Sequence, residues 1–149
     1  MKILLAIDGS KCSEAAIREV ARQPWPAGSE VRVLSAAELP FFPSTEFGTL
    51  PSQYYDELES AARSQAKANV DKAVATLHRS QVTEIPVDSQ VVFATPREAI
   101  VDEAVRWGAD LIVLGSHGYH GYKRFLLGSV SQSVSSHAPC SVMIVRERE

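Results

Sequence analysis

The stretch MKILLAIDGS, at residues 1–10, decides the fold class because it sets a continuous apolar run directly before an Asp-Gly-Ser turn. Apolar side chains that do not alternate with polar ones indicate a strand buried on both faces, as in a parallel sheet covered by helices. A second run of this kind, DLIVLG at residues 110–115, leads into a glycine-rich loop. Two such strands predict an α/β protein in which the segments between them supply helices.

Strand and helix patterns alternate along the rest of the chain. The predicted strands cover residues 3–7, 31–37, 85–93, 110–115 and 141–145. Apolar stripes at helical spacing run through residues 16–21, 58–77 and 100–107, and a fourth helix is predicted from residue 128 to before Pro139. Thr95-Pro96-Arg97-Glu98 has the form of a capping box with proline at the first helical position. This alternation predicts one domain over residues 1–149, with a parallel sheet and helices on both faces.

The overall composition is that of an ordinary soluble globular chain, with 45% hydrophobic and 22% charged residues. Its formal net charge is −3 and its pI is near 5.8, so we expect no general attraction to nucleic acid or to an anionic membrane. Cys12 and Cys140 are too few for a disulfide framework and are predicted to be reduced thiols. No apolar run approaches the roughly 20 residues of a membrane span. The predicted location is the cytoplasm.

The loop GSHGYHGYKRFLLGSVS, at residues 115–131, has the chemistry of a phosphate-binding site. In open α/β sheets, ligands bind beyond the carboxyl ends of the strands, where the Asp-Gly-Ser turn would face this loop across a crevice. Glycines let backbone N–H groups approach an anion, and the helix start at Ser129 adds a partial positive charge. Lys123 and Arg124 would add further charge, although such a pair is more often solvated.

Other interpretations of this loop lack the partners that they require. A Walker A pattern, a GxGxxG dinucleotide fingerprint and a GxSxG esterase elbow are all absent. His117 and His120 stand three residues apart without a nearby carboxylate or cysteine, which makes a weak metal site. A flexible strand-to-helix turn, in which the glycines serve tight geometry alone, stays open as an alternative to ligand binding.

The spacing Gly115-x2-Gly118-x9-Gly128-Ser129, placed after an Asp-Leu-Ile-Val-Leu strand, closely resembles the nucleotide-binding signature of the universal stress protein family. The resemblance extends over nearly the whole chain and includes the segments ILLAIDGS, ADLIVLGSHG, LLGSVSQSVSSHAPC and SVMIVR. It implies a Rossmann-like, adenine nucleotide α-hydrolase-like fold. The implied sheet is open, parallel and five-stranded, in the order 3-2-1-4-5.

The resemblance also implies an ATP site between the first and fourth strands. The residues that it assigns to this site are Ala6, Asp8, Gly9, Ser10, Ala36, Gly115, Ser116, His117, Gly118, Lys123, Gly128, Ser129, Val130 and Ser131. Asp8 would lie near the ribose and a phosphate-bound Mg²⁺ or Mn²⁺ ion, and the backbone at Ala36 would contact the adenine edge. Family members are commonly homodimers, and the implied interface is the last strand, at residues 141–146.

Three positions depart from the family pattern. Tyr119 stands where a basic residue is frequent, so one phosphate or ribose contact is expected to differ. Ala94 stands where glycine is frequent, and Ser141 replaces the usual proline. The last two affect local geometry more than ligand binding.

The implied function is that of an ATP-binding sensor or regulator in the stress response, with no catalytic residue assigned. The loop offers no evident water-positioning base or arginine finger, so any ATP hydrolysis is expected to be slow. Two alternatives stay open: a nucleotide hydrolase or transferase of the related adenine nucleotide α-hydrolase-like fold, and a nucleotide-free dimeric interaction protein. The aromatic segment at residues 38–56 fits a lid, a partner surface or a loop folded onto the core equally well.

Overall fold

Strands and helices alternate strictly in the computed structural model, which describes residues 1–39, 51–79, 85–118 and 127–147. The strands are β1 (Lys2–Ala6), β2 (Glu30–Ala37), β3 (Val87–Phe93), β4 (Leu111–Gly115) and β5 (Ser141–Val145). The helices are α1 (Lys11–Arg22), α2 (Ser52–Arg79), α3 (Pro96–Trp107) and α4 (Ser129–His137). The predicted order of elements is confirmed. Within these ranges, no helix has the length and apolarity needed to cross a membrane.

The described strands form a single parallel sheet in the predicted order, β3-β2-β1-β4-β5. Strand β1 lies in the middle, where Leu4 pairs with Arg32 of β2 on one side and with Ile112 of β4 on the other. The chain therefore winds outward through β2 and β3, and then returns to the opposite side through β4 and β5. This reversal leaves a crevice at the carboxyl ends of β1 and β4, which is where open α/β sheets bind ligands.

The core has one layer on each face of the sheet, as the unbroken apolar runs predict. Ile3, Leu4 and Leu5 are all 0% exposed. Ile3 and Leu5 belong to the cluster under α1 and α2, whereas Leu4 belongs to the cluster under α3 and α4. Burying each of these side chains contributes about 1.5–3 kcal/mol. The predicted helices on both faces are confirmed.

At the amino end of the sheet, the buried carboxylate of Glu103 fastens α3 to β2. It accepts hydrogen bonds from Arg32 Nη1 at 2.7 Å and from Arg106 Nε at 2.9 Å. Arg32 also pairs with Asp88 of β3 and stacks on Trp107, with 4.5 Å between Cζ and the ring centre. Burial acts to lower the pKa of Arg32, but its hydrogen bonds to Glu103 and Asp88 outweigh burial and raise that pKa. The cluster therefore fixes α3, whose first turn lines the cleft described below.

Helix α2 starts earlier than its apolar pattern predicts. Ser52 and Gln53, which the sequence places in a loop, belong to its first turn. Tyr54 and Tyr55 follow them with 44% and 43% of their surface exposed. Because these first turns face solvent, they carry no apolar stripe that would mark them as helical. The rest of the aromatic segment, at residues 40–50, lies outside the described residues.

The start of β3 and the cap of α3 also differ from prediction. Strand β3 begins at Val87 instead of residue 85, because Pro86 has no N–H to donate to the ladder. Thr95 Oγ1 donates to Glu98 Oε2 at 2.8 Å, and the Thr95 side chain makes no cap bond to a backbone N–H. The predicted capping box is therefore wrong in that detail, although Pro96 is the first helical residue as predicted.

Candidate functional site

A cleft of about 440 Å³ opens where the carboxyl ends of β1, β2 and β4 meet the first turns of α3 and α4. Most of the site residues that the sequence predicts line this cleft. They are Ala6, Asp8, Ala36, Gly115, His117, Gly118, Gly128, Ser129, Val130 and Ser131. The topology thus brings together residues that are more than 100 positions apart, at the place where the strand order reverses.

The remaining predicted residues are distributed differently. Gly9, Ser10 and Ser116 are not among the lining residues and belong to the loops that carry the cleft. Lys123 lies outside the described residues, so its predicted phosphate contact stays a prediction. Sequence reasoning missed several lining residues that come from other elements: Ile7, Ser13, Leu34, Glu38, Pro96, Ile100 and Leu114. Five of the seven lie at the end of a strand, directly after one, or in the first turn of a helix, and that placement is the signal that would have found them.

The two sides of the cleft differ in chemistry. On the β2 side, Leu34, Ala36 and Ile100 present apolar surface, and Glu38 adds one exposed carboxylate. On the β4 side, the lining includes Leu114 and Ile7 but also a carboxylate, an imidazole, glycines and the start of α4. The cap residue of α4 is Gly128, which has no side chain to accept hydrogen bonds from the first N–H groups of the helix. Such an arrangement suits a ligand with a flat apolar group at one end and an anion at the other.

The Asp8 carboxylate lies opposite Gly118, across the mouth of the loop. Its Oδ1 accepts a hydrogen bond from Ser10 N at 2.9 Å. A Cβ atom placed on Gly118 would lie 2.7 Å from Oδ2, so glycine leaves the room that this oxygen occupies. The described residues contain no group of three or more His, Cys, Asp or Glu side chains that could hold a metal ion. A cation at Asp8 would therefore take most of its ligands from phosphate oxygens and water, as Mg²⁺ commonly does.

Two of the serines predicted to contact ligand use their hydroxyls to join the loops of the site. Ser131 is 2% exposed, and its Oγ donates to the carbonyl oxygens of Gly115 and Ser116 at 3.0 and 2.9 Å. Ser10 Oγ accepts from the N–H of Ser13 at 3.2 Å, which caps α1, and donates to the carbonyl of His117 at 3.3 Å. These hydroxyls join the two loops and so fix the position of the backbone N–H groups that the loops can offer a ligand.

Gly115 is required for packing. A Cβ atom at this position would lie 2.6 Å from the backbone carbonyl carbon of Cys12 and 2.8 Å from Ser13 N. The glycine therefore lets the first turn of α1 lie directly against the end of β4. The next residue extends the same loop toward the edge of the sheet, because Ser116 N donates to the carbonyl of Val145 in β5 at 2.8 Å.

His117 lines the cleft and has a buried hydrogen-bonding atom that is unused within the described residues. Its Nδ1 lies 3.1 Å from Ser116 Oγ. Its Nε2 is buried and has no hydrogen-bond partner among the described residues. A buried polar atom without a partner is costly, so this nitrogen is suited to bind a ligand atom in the cleft. The other half of the proposed histidine pair, His120, lies outside the described residues.

A family model and curated relatives of this chain indicate the same protein family. A sequence model described as the Universal stress protein family matches residues 1–146. The universal stress protein YxiE of Bacillus subtilis (strain 168) is 29% identical over 150 residues, covering 97% of this chain and 98% of the relative. The putative universal stress protein SH1215 of Staphylococcus haemolyticus is 30% identical over 148 residues, covering 99% and 85%. Among solved structures, the hypothetical protein MJ0577 superimposes with a TM-score of 0.82 at 27% identity, covering 99% and 96%.

Three more distant solved structures are described with adenine nucleotides. They are a universal stress protein in complex with cAMP (22% identity, TM-score 0.68), an Arabidopsis thaliana family protein with AMP bound (15%, 0.70) and the Archaeoglobus fulgidus protein in complex with dAMP (22%, 0.65). They cover 97%, 99% and 97% of this chain, and 96%, 92% and 97% of their own. At identities of 15–22%, these similarities establish the shared fold alone.

Proposed function

This chain belongs to the universal stress protein family, and on that premise we propose that it binds ATP in the cleft between β1 and β4 and acts as a nucleotide-dependent regulator. The observation that carries the proposal is the two-sided lining of the cleft. Its apolar side, with Leu34, Ala36 and Ile100, fits an adenine ring. Its other side joins glycines to a helix start that has no side-chain cap, which fits phosphate. The adenine nucleotides described in three structural neighbours support an adenine nucleotide as the ligand.

The proposed divalent ion, Mg²⁺ or Mn²⁺, belongs beside Asp8. An exposed carboxylate facing an anion site is repulsive unless a cation lies between the two charges. Mg²⁺ usually binds through one or two carboxylates together with substrate phosphates and water. Asp8 Oδ2, which faces Gly118, meets this requirement with a single protein ligand. The ion would neutralise phosphate charge and orient it against the loop.

Regulation is favoured over catalysis by the residues of the cleft. Within the described residues, no arginine or lysine lines it, and its charged or titratable side chains are Asp8, Glu38 and His117. Besides a metal ion, efficient phosphoryl transfer needs a residue that positions the nucleophile and a cationic side chain that stabilises the transition state. The proposed setting is the cytoplasm, where ATP is present and where the two free thiols, Cys12 and Cys140, would stay reduced.

The first expected result is that the purified protein, once denatured, releases an adenine nucleotide. ATP with Mg²⁺ at about 100 times Kd should stabilise the nucleotide-free protein by roughly 2.7 kcal/mol. For a chain of this size, that corresponds to a rise in the thermal midpoint of about 5–10 °C. Phosphate release in the same preparation should stay well below about 1 per second.

The two alternatives predict different outcomes of this experiment. A nucleotide-free interaction protein would release no nucleotide and would show no thermal shift with ATP and Mg²⁺. A nucleotide hydrolase or transferase would turn over at about 1 per second or faster with a suitable substrate. Either outcome would overturn the proposed regulator.

We also propose a homodimer formed through residues 141–146. Strand β5 lies at the edge of the sheet, so one of its sides has no neighbouring strand within the described fold. An unpaired edge is a ready template for pairing with a second chain. The protein is therefore expected to sediment with a mass of 2 × 16.2 kDa in analytical ultracentrifugation. A mass of 16.2 kDa at micromolar concentration would contradict this prediction.

A further inference from the structure

We propose that Asn69, in the middle of α2, is a positioning residue for the nucleotide site, because it holds the turn that carries Asp8. This inference rests on the proposed function. Asn69 is not among the residues that line the cleft. Its side-chain Nδ2 donates to the backbone carbonyl of Asp8 at 3.1 Å, across 61 positions of sequence. Its Oδ1 accepts from Gln65 Nε2 at 3.2 Å, which orients the amide.

Gly9 shows how closely this amide fits the turn. Gly9 has a φ of +83°, a conformation that L side chains rarely adopt. A Cβ atom on Gly9 would lie 2.7, 2.8 and 2.9 Å from Oδ1, Nδ2 and Cγ of Asn69. The amide group therefore lies directly against the glycine. The turn from β1 to α1 is held by α2 on one side and borders the cleft on the other.

Bonds within the turn pass this constraint to the Asp8 carboxylate. Ser10 N donates to Asp8 Oδ1 at 2.9 Å, and Gly9 N donates to Ser13 Oγ at 3.1 Å. The carbonyl of Asp8 thus accepts a hydrogen bond from Asn69, while its side chain accepts one from the backbone of Ser10, two residues further on. A shift of the carbonyl would move the carboxylate, because both belong to one residue in a tight turn.

Helix α2 is well placed to act as a rigid support. Val70, next to Asn69, is 1% exposed and packs in the core under α1 and α2. One turn further on, Lys72 Nζ pairs with Glu14 Oε1 of α1 at 2.5 Å. The hydrogen bond from Lys72 lowers the pKa of Glu14. A buried side chain and an ion pair, both within three residues of Asn69 on its C-terminal side, therefore hold α2 in place beside the turn.

The consequence for binding should depend on the metal ion, because Asn69 acts on the ligand through Asp8. Asn69→Ala is expected to weaken Mg²⁺-ATP binding about 5- to 10-fold, the scale of one lost hydrogen bond. In EDTA, Asn69→Ala should change the affinity for ATP by less than about 2-fold. In an Asp8→Asn background, Asn69→Ala should likewise change the affinity for Mg²⁺-ATP by less than about 2-fold. Asn69→Asp, which keeps the shape but removes the donor, should lose at least as much affinity as Asn69→Ala. Lys67→Ala, an exposed change on the same helix whose ion pair is with Asp71, is the matched control.

A second measurement needs no nucleotide. In the ligand-free protein, Asn69→Ala should speed amide hydrogen exchange at Gly9 and Ser10 by about 10-fold relative to wild type, while exchange at Ile112 in β4 stays unchanged. A merely structural role would instead lower protection across the sheet and would weaken binding equally with and without Mg²⁺.

The outcomes separate this inference from the proposed function. If wild-type protein binds no ATP, the proposed function fails and the inference fails with it. If wild-type protein binds Mg²⁺-ATP and Asn69→Ala binds it equally well, the inference alone is overturned. Equal losses with Mg²⁺ and with EDTA would also overturn it, because the effect would not pass through Asp8.

Discussion

Gly118→Val is expected to weaken ATP binding about 100-fold while leaving the thermal midpoint of the nucleotide-free protein nearly unchanged. In the described residues, the glycines with positive φ are Gly9, Gly28 and Gly108, so a side chain at Gly118 strains no backbone. A new Cβ would meet Asp8 Oδ2 at 2.7 Å, with Asp8 Cγ next at 3.9 Å. The branched side chain would displace the carboxylate and occupy space that the phosphates need. Among the described residues, the effect is thus confined to the cleft.

Titration calorimetry with Mg²⁺-ATP would measure this loss of affinity. Gly118→Ala should give an intermediate loss, since its methyl group already reaches the carboxylate. Ala61→Val adds the same branched group at an exposed position of α2 and is expected to leave affinity unchanged. Unaltered affinity in Gly118→Val would show that the phosphates do not lie against this part of the loop.

Gly115→Ala is expected to have the opposite profile, with its largest effect on stability. The added Cβ would lie 2.6 Å from the carbonyl carbon of Cys12 and 2.8 Å from Ser13 N. Both are backbone atoms that cannot rotate away, so α1 must move as a unit. Overpacking of this kind costs about 1–3 kcal/mol of unfolding free energy. In a chain of this size, each kcal/mol lowers the thermal midpoint by about 2–4 °C.

Urea unfolding of the nucleotide-free protein would test this second prediction, again with Ala61→Val as the control. A lower urea midpoint at an unchanged m-value would show that the free energy of unfolding has fallen while the surface exposed on unfolding is the same. A Gly115→Ala variant as stable as wild type would mean that α1 does not approach β4 as closely as described. Together, the two variants would show that one signature contains glycine for two reasons, which are room for the ligand at Gly118 and close packing at Gly115.

The fold could be predicted from sequence because its signals are local. Strands β1 and β4 are buried on both faces, so their apolar runs are unbroken, and Gly118 and Gly128 mark the loop that follows. The family resemblance supplied the strand order, which periodicity alone does not determine. Asn69 left no such signal, since its role depends on α2 lying beside a turn 61 residues earlier in the chain. Ser131 stays a predicted ligand contact, and the sequence did not show that its buried hydroxyl is also bonded to the loop itself.

The hydrogen bond from Ser116 N to the carbonyl of Val145 connects the cleft to the edge of the sheet. It joins a residue beside His117 to the last residue of β5, the strand through which we propose that two copies pair. If pairing at β5 shifts this loop, dimerisation and nucleotide binding become coupled, and such a coupling is reciprocal. In such a dimer, the apparent affinity for nucleotide would rise or fall with protein concentration, and occupation of one cleft would change the affinity of the other.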